Sequence, residues 1–165
     1  MLNSKLQFGT KQNGFTLVLA LFIMIIILTA SFFVSELMLG ELIIFNILQE
    51  SQRAFYAVDT GVECALYWDI QQEVFPASDI DPDPASPLNC NSVDITASSA
   101  WGLQKTPTAA TTSFSLLFSD NSCAFLNVGR HDGETLITAV GRNRGDASCN
   151  PTGPRVVERG IRIEY

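Results

Sequence analysis

Between Lys11 and Glu36 the chain reads KQNGFTLVLALFIMIIILTASFFVSE. From Phe15 to Ser35 it carries no charge, and its only polar side chains are Thr16, Thr29, Ser31 and Ser35. These 21 residues, wound as a helix, rise about 31 Å, the thickness of a bilayer's hydrocarbon core. Core helices of soluble proteins are seldom free of charge for so long, so the stretch predicts a membrane-spanning helix over 15–35. Lys5 and Lys11 precede it and no acid does, whereas Glu36, Glu41 and Glu50 follow before the first arginine, Arg53. The positive-inside bias puts residues 1–14 in the cytoplasm and the remainder outside.

The helical pattern does not stop at the membrane. Leu37, Met38, Leu42, Ile43, Ile44, Phe45, Ile47 and Leu48 leave few polar positions. A helix apolar on most sides needs partners on most sides. One small outer domain cannot supply them, but parallel helices in a bundle or filament core can. Gly40 is a soft point, because glycine weakens a helix by about 1 kcal/mol. From Arg53 the pattern turns amphipathic. Ala54, Ala57, Val58, Gly61, Val62 and Ala65 recur at helical spacing as one stripe of small side chains that a sheet can approach closely. Asp59 and Glu63 fall on another face and read as solvated. The pattern predicts a helix over 15–75, about 90 Å long, ended by Pro76.

Beyond it lies room for one small domain. Residues 76–112 read as loop, with Asp79, Asp81 and Asp83 alternating among prolines. A helix-loop-helix calcium site needs a turn glycine and a distal glutamate that are missing there, so the reading is a solvated acidic loop without metal. Strand signals follow. Phe114, Leu116 and Phe118 alternate with serines; Cys123 to Val128 is apolar; Glu134 to Arg142 follows an Asp132-Gly133 turn; Val157, Ile161, Ile163 and Tyr165 share a face at the end. A meander of about four antiparallel strands with one apolar face needs a cover, and the small-residue stripe is the available one. The fold class expected is therefore α+β, a long N-terminal helix whose first half crosses the membrane, packed on a C-terminal antiparallel sheet.

Cys64, Cys90, Cys123 and Cys149 lie on the outer side, where disulfides form, and none makes a C-x-x-C pair. Of three pairings, position along the chain favours Cys64–Cys149 with Cys90–Cys123. No cofactor motif is present. His131, the only histidine, stands beside Asp132 in a turn without a nucleophile in sequence reach. The formal charge of −7 argues against nucleic acid as a partner, although Arg142, Arg144 and Arg155 can form a local basic patch.

The basic leader ending at Gly14, followed at once by Phe15-Thr16-Leu17 and the apolar helix, resembles the prepilin leader of the type IV pilin superfamily. Ala54-Phe55-Tyr56-Ala57 with Gly61 and Glu63 is similar to the corresponding segment of that family's minor pilins of the pilus-assembly type. The resemblance covers roughly residues 9–68. It implies cleavage between Gly14 and Phe15 by the prepilin peptidase and methylation of the new N-terminus. It also implies a pilin-like head, contact with an inner-membrane assembly platform, and packing against other pilins or pseudopilins through the N-terminal helix. One position departs from the pattern: the family's glutamate, fifth after the cut, is Leu19 here. Members lacking that acid include the pseudopilin that caps the type II secretion filament, so Leu19 points to a minor, tip or initiating component.

The division expected is a leader over 1–14, a helix over 15–75 and an extracytoplasmic head over 76–165. The function expected is structural and not enzymatic: a minor pilin or pseudopilin of a type IV pilus or type II secretion-like filament, held in the inner membrane before assembly and at the surface or in the periplasm after it. The alternative is a signal-anchored single-pass protein whose outer binding domain never joins a filament.

Overall fold

Helix α1 runs from Asn13 to Leu66 without interruption in the computed structural model, which describes residues 13–165, and side chains from Phe15 onward. Most of the expected leader, with Lys5 and Lys11, lies outside the described residues. The chain divides into two units: one ends at Asn46, and the other, the head, comprises Ile47–Tyr165.

In the first unit α1 is the only described element, and every side chain from Phe15 onward is exposed. It is long and apolar enough to cross a membrane, and the spanning window is not buried by its own chain. Its length and apolarity are those of a single-pass membrane anchor.

In the head, α1 ends earlier than Pro76 requires. A wide turn of π-helix, Tyr67–Gln71, follows it. Glu73 then takes a left-handed φ of 49°, and the Val74 N–H reaches back to the Trp68 carbonyl at 3.1 Å. This wide, underwound ending satisfies a carbonyl that the helix leaves free. Its cause is Phe75, which is 1 % exposed. To bury this ring against Phe114, 6.2 Å away and nearly parallel, the chain must leave the helix before the proline. The helix therefore does not reach residue 75 as expected.

Residues 76–112 are also more ordered than their prolines suggest. Strands β1 (Asn89–Cys90) and β2 (Val93–Asp94) form a small hairpin, a 3-10 turn occupies Ile95–Ala97, and β3 (Gly102–Thr106) joins the main sheet. Asp94 organises this segment. Its Oδ1 accepts from the amides of Leu88 at 3.1 Å and Thr96 at 3.0 Å, and from the Thr96 hydroxyl at 2.7 Å. That seats Leu88 and Ile95 in the core. The missed β3 has the pattern Gly-Leu-Gln-Lys-Thr, with one apolar side chain, so alternation gave no signal there.

The sheet has five strands in the order β3-β4-β5-β6-β7, all antiparallel, one more than expected. β4 is Ala109–Leu117, β5 Cys123–His131, β6 Glu134–Arg142 and β7 Glu158–Glu164. Asp132 (φ 49°) and Gly133 (φ 87°) make the two-residue turn between β5 and β6, as a primed hairpin turn requires. Phe114, Leu126, Ala139 and Ile161 form one cross-strand row of the face toward α1. Leu116 and Ala124 lie in the next row, with Val128 and Ile137 on the other side.

Both disulfides differ from the expected pairing. Cys64 bonds Cys90, and Cys123 bonds Cys149, each across a separation of 26 residues. The first ties α1 to β1. The second ties the start of β5 to the loop between β6 and β7. Cys149 lands on Cys123 because that loop folds back over the sheet: Arg142, the register partner of Cys123, donates to the Cys149 carbonyl, and the Ser115 hydroxyl donates to Ala147 O at 2.6 Å. A loop of that size, closed in the unfolded chain, stabilises by about 3 kcal/mol per bridge in the chain-entropy picture.

Gly141 on β6 lies directly under α1. A Cβ there would meet the Ala54 carbonyl, and both the Cβ and the N of Val58 at 2.8 Å. Gly141→Ala should therefore lower head stability by about 1–3 kcal/mol, read as a reduced urea midpoint. Gly153→Ala, where nothing lies within 4 Å but φ is +79°, should cost about 1 kcal/mol.

Candidate assembly surface

Three surfaces stand out: the bare first unit of α1, the small-residue face of its continuation, and a charged cluster where the helix joins the head. On the first, Phe15, Phe33 and Phe45 are each more than 60 % exposed. Soluble chains rarely expose a contiguous apolar surface of such extent. Leu19 lies on it, 48 % exposed. Gly14 is within α1, ahead of the residues whose side chains are described, and Phe15 is 75 % exposed.

The second surface is fully used inside the head. Ala54, Ala57, Val58, Gly61, Val62 and Ala65 are all buried. Gly61 faces β5, where an added Cβ would stand 2.9 Å from Leu126 Cδ1 and 3.2 Å from Ala124 Cβ. Phe55, Tyr56 and Glu63 point outward and are exposed. Asp59 is half-buried.

The third surface is where sequence reading stopped short. Asn143, at the end of β6, is 1 % exposed. Its amide nitrogen donates to Glu50 on α1 at 2.8 Å and to the Arg155 carbonyl at 3.1 Å. Its amide oxygen accepts from the Val157 N–H at 2.7 Å. One side chain thus joins the helix, the sheet and the last loop. Glu50 also faces Arg53 at 3.8 Å and Arg144 at 3.7 Å. Arg159 on β7 donates to the Ser51 hydroxyl from Nε at 2.8 Å. Arg142 pairs with Glu158 at 2.8 Å. Of the three arginines noted in the sequence, Arg142 and Arg144 are answered here by Glu158 and Glu50, and Arg155 contributes its backbone carbonyl. Partners about a hundred residues apart left no local signal by which the cluster could be read.

At the other end of the head, Asp69 is buried at 3 % exposure. The Tyr165 hydroxyl donates to its Oδ2 at 2.7 Å, and Arg130 stands 3.7 Å from Oδ1 while donating to the Phe75 carbonyl at 2.8 Å. This cluster ties the end of the helical region to the last residue of the chain. Burial first, then the hydrogen bond to Asp69 and that residue's negative charge, push the Tyr165 phenol well above its usual value.

The acidic loop 79–83 is folded around its own carboxylate. Asp81 Oδ2 accepts from the amides of Ala77 at 2.7 Å and Ser78 at 2.9 Å. These backbone donors, led by Ala77, hold its carboxyl below the usual range. Ser122 does the same to Asp120, by its hydroxyl first, and Asn150 to Asp146, by its amide first. Among the described residues no three His, Cys, Asp or Glu side chains are grouped to hold a metal ion. His131 is exposed, 3.1 Å from Asp132.

Comparison with protein-family models, with characterised proteins and with solved structures found no match.

Asn143→Ala should destabilise the head by about 1–3 kcal/mol, because Glu50 and the Val157 N–H lose a buried partner; a denaturant titration reads this. The pH profile should fall at both ends. The lowered Asp81, Asp120 and Asp146 carboxyls contribute stability above their unfolded value near 3.8, and that contribution is lost as pH falls through their folded values. The raised Tyr165 phenol contributes fully below its unfolded value near 10.0, and its contribution is lost as pH rises through the folded value. Thermal melts of the parent should lie above those of Tyr165→Phe through the neutral range, and the gap should narrow in the alkaline limb, where the parent loses the Tyr165 contribution and the variant has none to lose.

Proposed function

We propose that the chain is a minor pilin or pseudopilin, a non-enzymatic subunit of a type IV pilus or type II secretion-like filament. It sits in the inner membrane with its N-terminus inside and its head outside until assembly. The observation that carries this reading is the bare apolar helix. Its exposed residues continue past Ser35, where a bilayer crossing is already complete, to Gln49. A monomeric membrane anchor has no use for the second stretch, whose Leu42, Ile43, Ile44, Phe45, Ile47 and Leu48 would face water. Parallel helices of neighbouring subunits cover both stretches.

The Gly14-Phe15-Thr16-Leu17 step supplies the processing site: the prepilin peptidase cuts after Gly14, and Phe15 becomes the methylated N-terminus. Leu19 supplies the role. A subunit without an acid near its N-terminus has no carboxylate for a neighbour's terminal amine, and a tip or initiating position needs that pairing least. Such a protein works by geometry: the helix packs among other helices, and the head presents its loops.

Mass spectrometry of the N-terminal peptide, from protein made in the native host, tests the reading. Methylated Phe15 is expected. An intact Met1 would favour the signal-anchored monomer and overturn the filament assignment. Recovery with sheared surface filaments, or with the secretion complex, extends the test from processing to assembly.

A further inference from the structure

On the side turned away from the sheet, the head part of α1 and the π-turn after it carry a row that the head leaves largely uncovered. Tyr56, Thr60, Glu63, Tyr67 and Ile70 recur at alternating steps of four and three residues, the spacing of a seam between two helices. Tyr56, Tyr67 and Ile70 are exposed, Tyr56 at 64 %. Phe55 flanks the row, its ring 6.1 Å from that of Tyr56 and edge-on to it. Beyond Leu48 the described residues expose eight large apolar side chains. Four of them are Phe55, Tyr56, Tyr67 and Ile70, whereas Ile80, Val93, Leu117 and Tyr165 stand singly on other parts of the head. Scattered exposure of that kind is ordinary, but a row of it on one helix face marks a contact surface.

Two acids share this face. Glu63 stands in the row and is exposed, and Asp59, one turn before it, is half-buried. Among the described residues neither is part of an ion pair. The one cation of α1 within those residues, Arg53, is turned to Glu50 at 3.8 Å. Other carboxylates of the head are occupied at home: Asp81, Asp94, Asp120 and Asp146 each accept from neighbouring amides or hydroxyls. The outward face of the helix thus sets two unanswered negative charges among three aromatic rings and an isoleucine.

We infer that this face seats a helix of a neighbouring, non-identical subunit, which brings a lysine or arginine to Asp59 and Glu63. The occupant follows from charge. A lipid tail cannot answer two carboxylates. A second copy would meet the face with the same two acids, and like charges set against each other oppose pairing. What fits is a helix with apolar side chains at the matching spacing and a cation among them. Tyrosines suit such a contact, because each covers a large area and has few rotatable bonds to immobilise. A single seat of this kind holds a tip or initiating subunit to one neighbour and does not propagate. The inference deepens the filament reading and rests on it for the class of the partner.

The experiment uses the full chain in its native host, with the photoreactive residue p-benzoylphenylalanine introduced at Tyr67 and, as a control away from the face, at the exposed Val93 of β2. Cross-linked peptides are sequenced by mass spectrometry. The probe at Tyr67 should join a helix of a different membrane-anchored subunit, with a lysine or arginine within one turn of the joined residue, and the probe at Val93 should not. Asp59→Asn with Glu63→Gln, which keeps both shapes, should lower the yield several-fold. Asp59→Lys with Glu63→Lys should lower it by about tenfold or more, and exchanging the partner's cation for glutamate should restore it. Peptide mapping of both disulfides and the melting temperature confirm that each variant folds. No adduct, an adduct with a second copy or with lipid, a partner helix without a cation, or yields unmoved by the charge variants would each overturn the inference. The N-terminus is read on the same sample. Methylated Phe15 without the adduct removes this contact and leaves the filament reading; the adduct on a chain with intact Met1 does the reverse.

Discussion

Everything in the head depends on how near α1 comes to the sheet. Two glycines set that distance, Gly61 on the helix over β5 and Gly141 on β6 under the helix. Each removes the side chain that would otherwise hold the two layers apart, and Ala54, Ala57 and Ala65 keep the rest of the seam thin. Close approach brings the helix backbone itself into contact with the sheet. It also leaves the larger apolar side chains, Phe75, Leu88 and Ile95, to fill the flank beside the seam. The early end of the helix, the Asp94-centred turn and the Cys64–Cys90 bridge all serve that flank. They bring residues 75–95 back along the sheet instead of letting them leave with the helix.

The polar clusters at the two ends work differently from the seam. Asn143 is neutral and buried, and three of its four hydrogen-bonding positions are used, so it fixes position at little electrostatic cost. Asp69 is charged and buried, answered by one hydroxyl and by an arginine that also holds a carbonyl. Breaking such a pair costs more than forming it gains. The head is thus pinned at one end by a dipolar side chain and at the other by an ionic one, with the apolar seam between them.

Much of this was written in local patterns. The membrane-length run, the small-residue stripe, the Asp132-Gly133 turn and the span of β6 all follow from spacing alone. The elements that were missed share a cause. β3 has a single apolar side chain, and its strand character comes from pairing with β4. The helix end was assigned to Pro76, the strongest local breaker, but the burial of Phe75 acts first. The disulfides were paired by position along the chain, whereas Cys149 reaches Cys123 because its loop doubles back over the sheet. Glu50, Asn143, Arg155 and Arg159 could not be joined beforehand, since each is ordinary in its own neighbourhood and the cluster exists only in the fold.

The Asp132-Gly133 corner has a reach beyond its two residues. It fixes which residue of β6 faces which residue of β5, and Gly141 lies at the far end of that ladder, opposite Ala124. Were the corner one residue longer on the β6 side, the alternation of the strand would bring Val140 to the helix in place of Gly141. An isopropyl group would then occupy the space that the backbone of Ala54 and Val58 now fills. The length of one tight bend at the outer margin therefore governs the thickness of the joint at the opposite margin, some seven residues away along the strand.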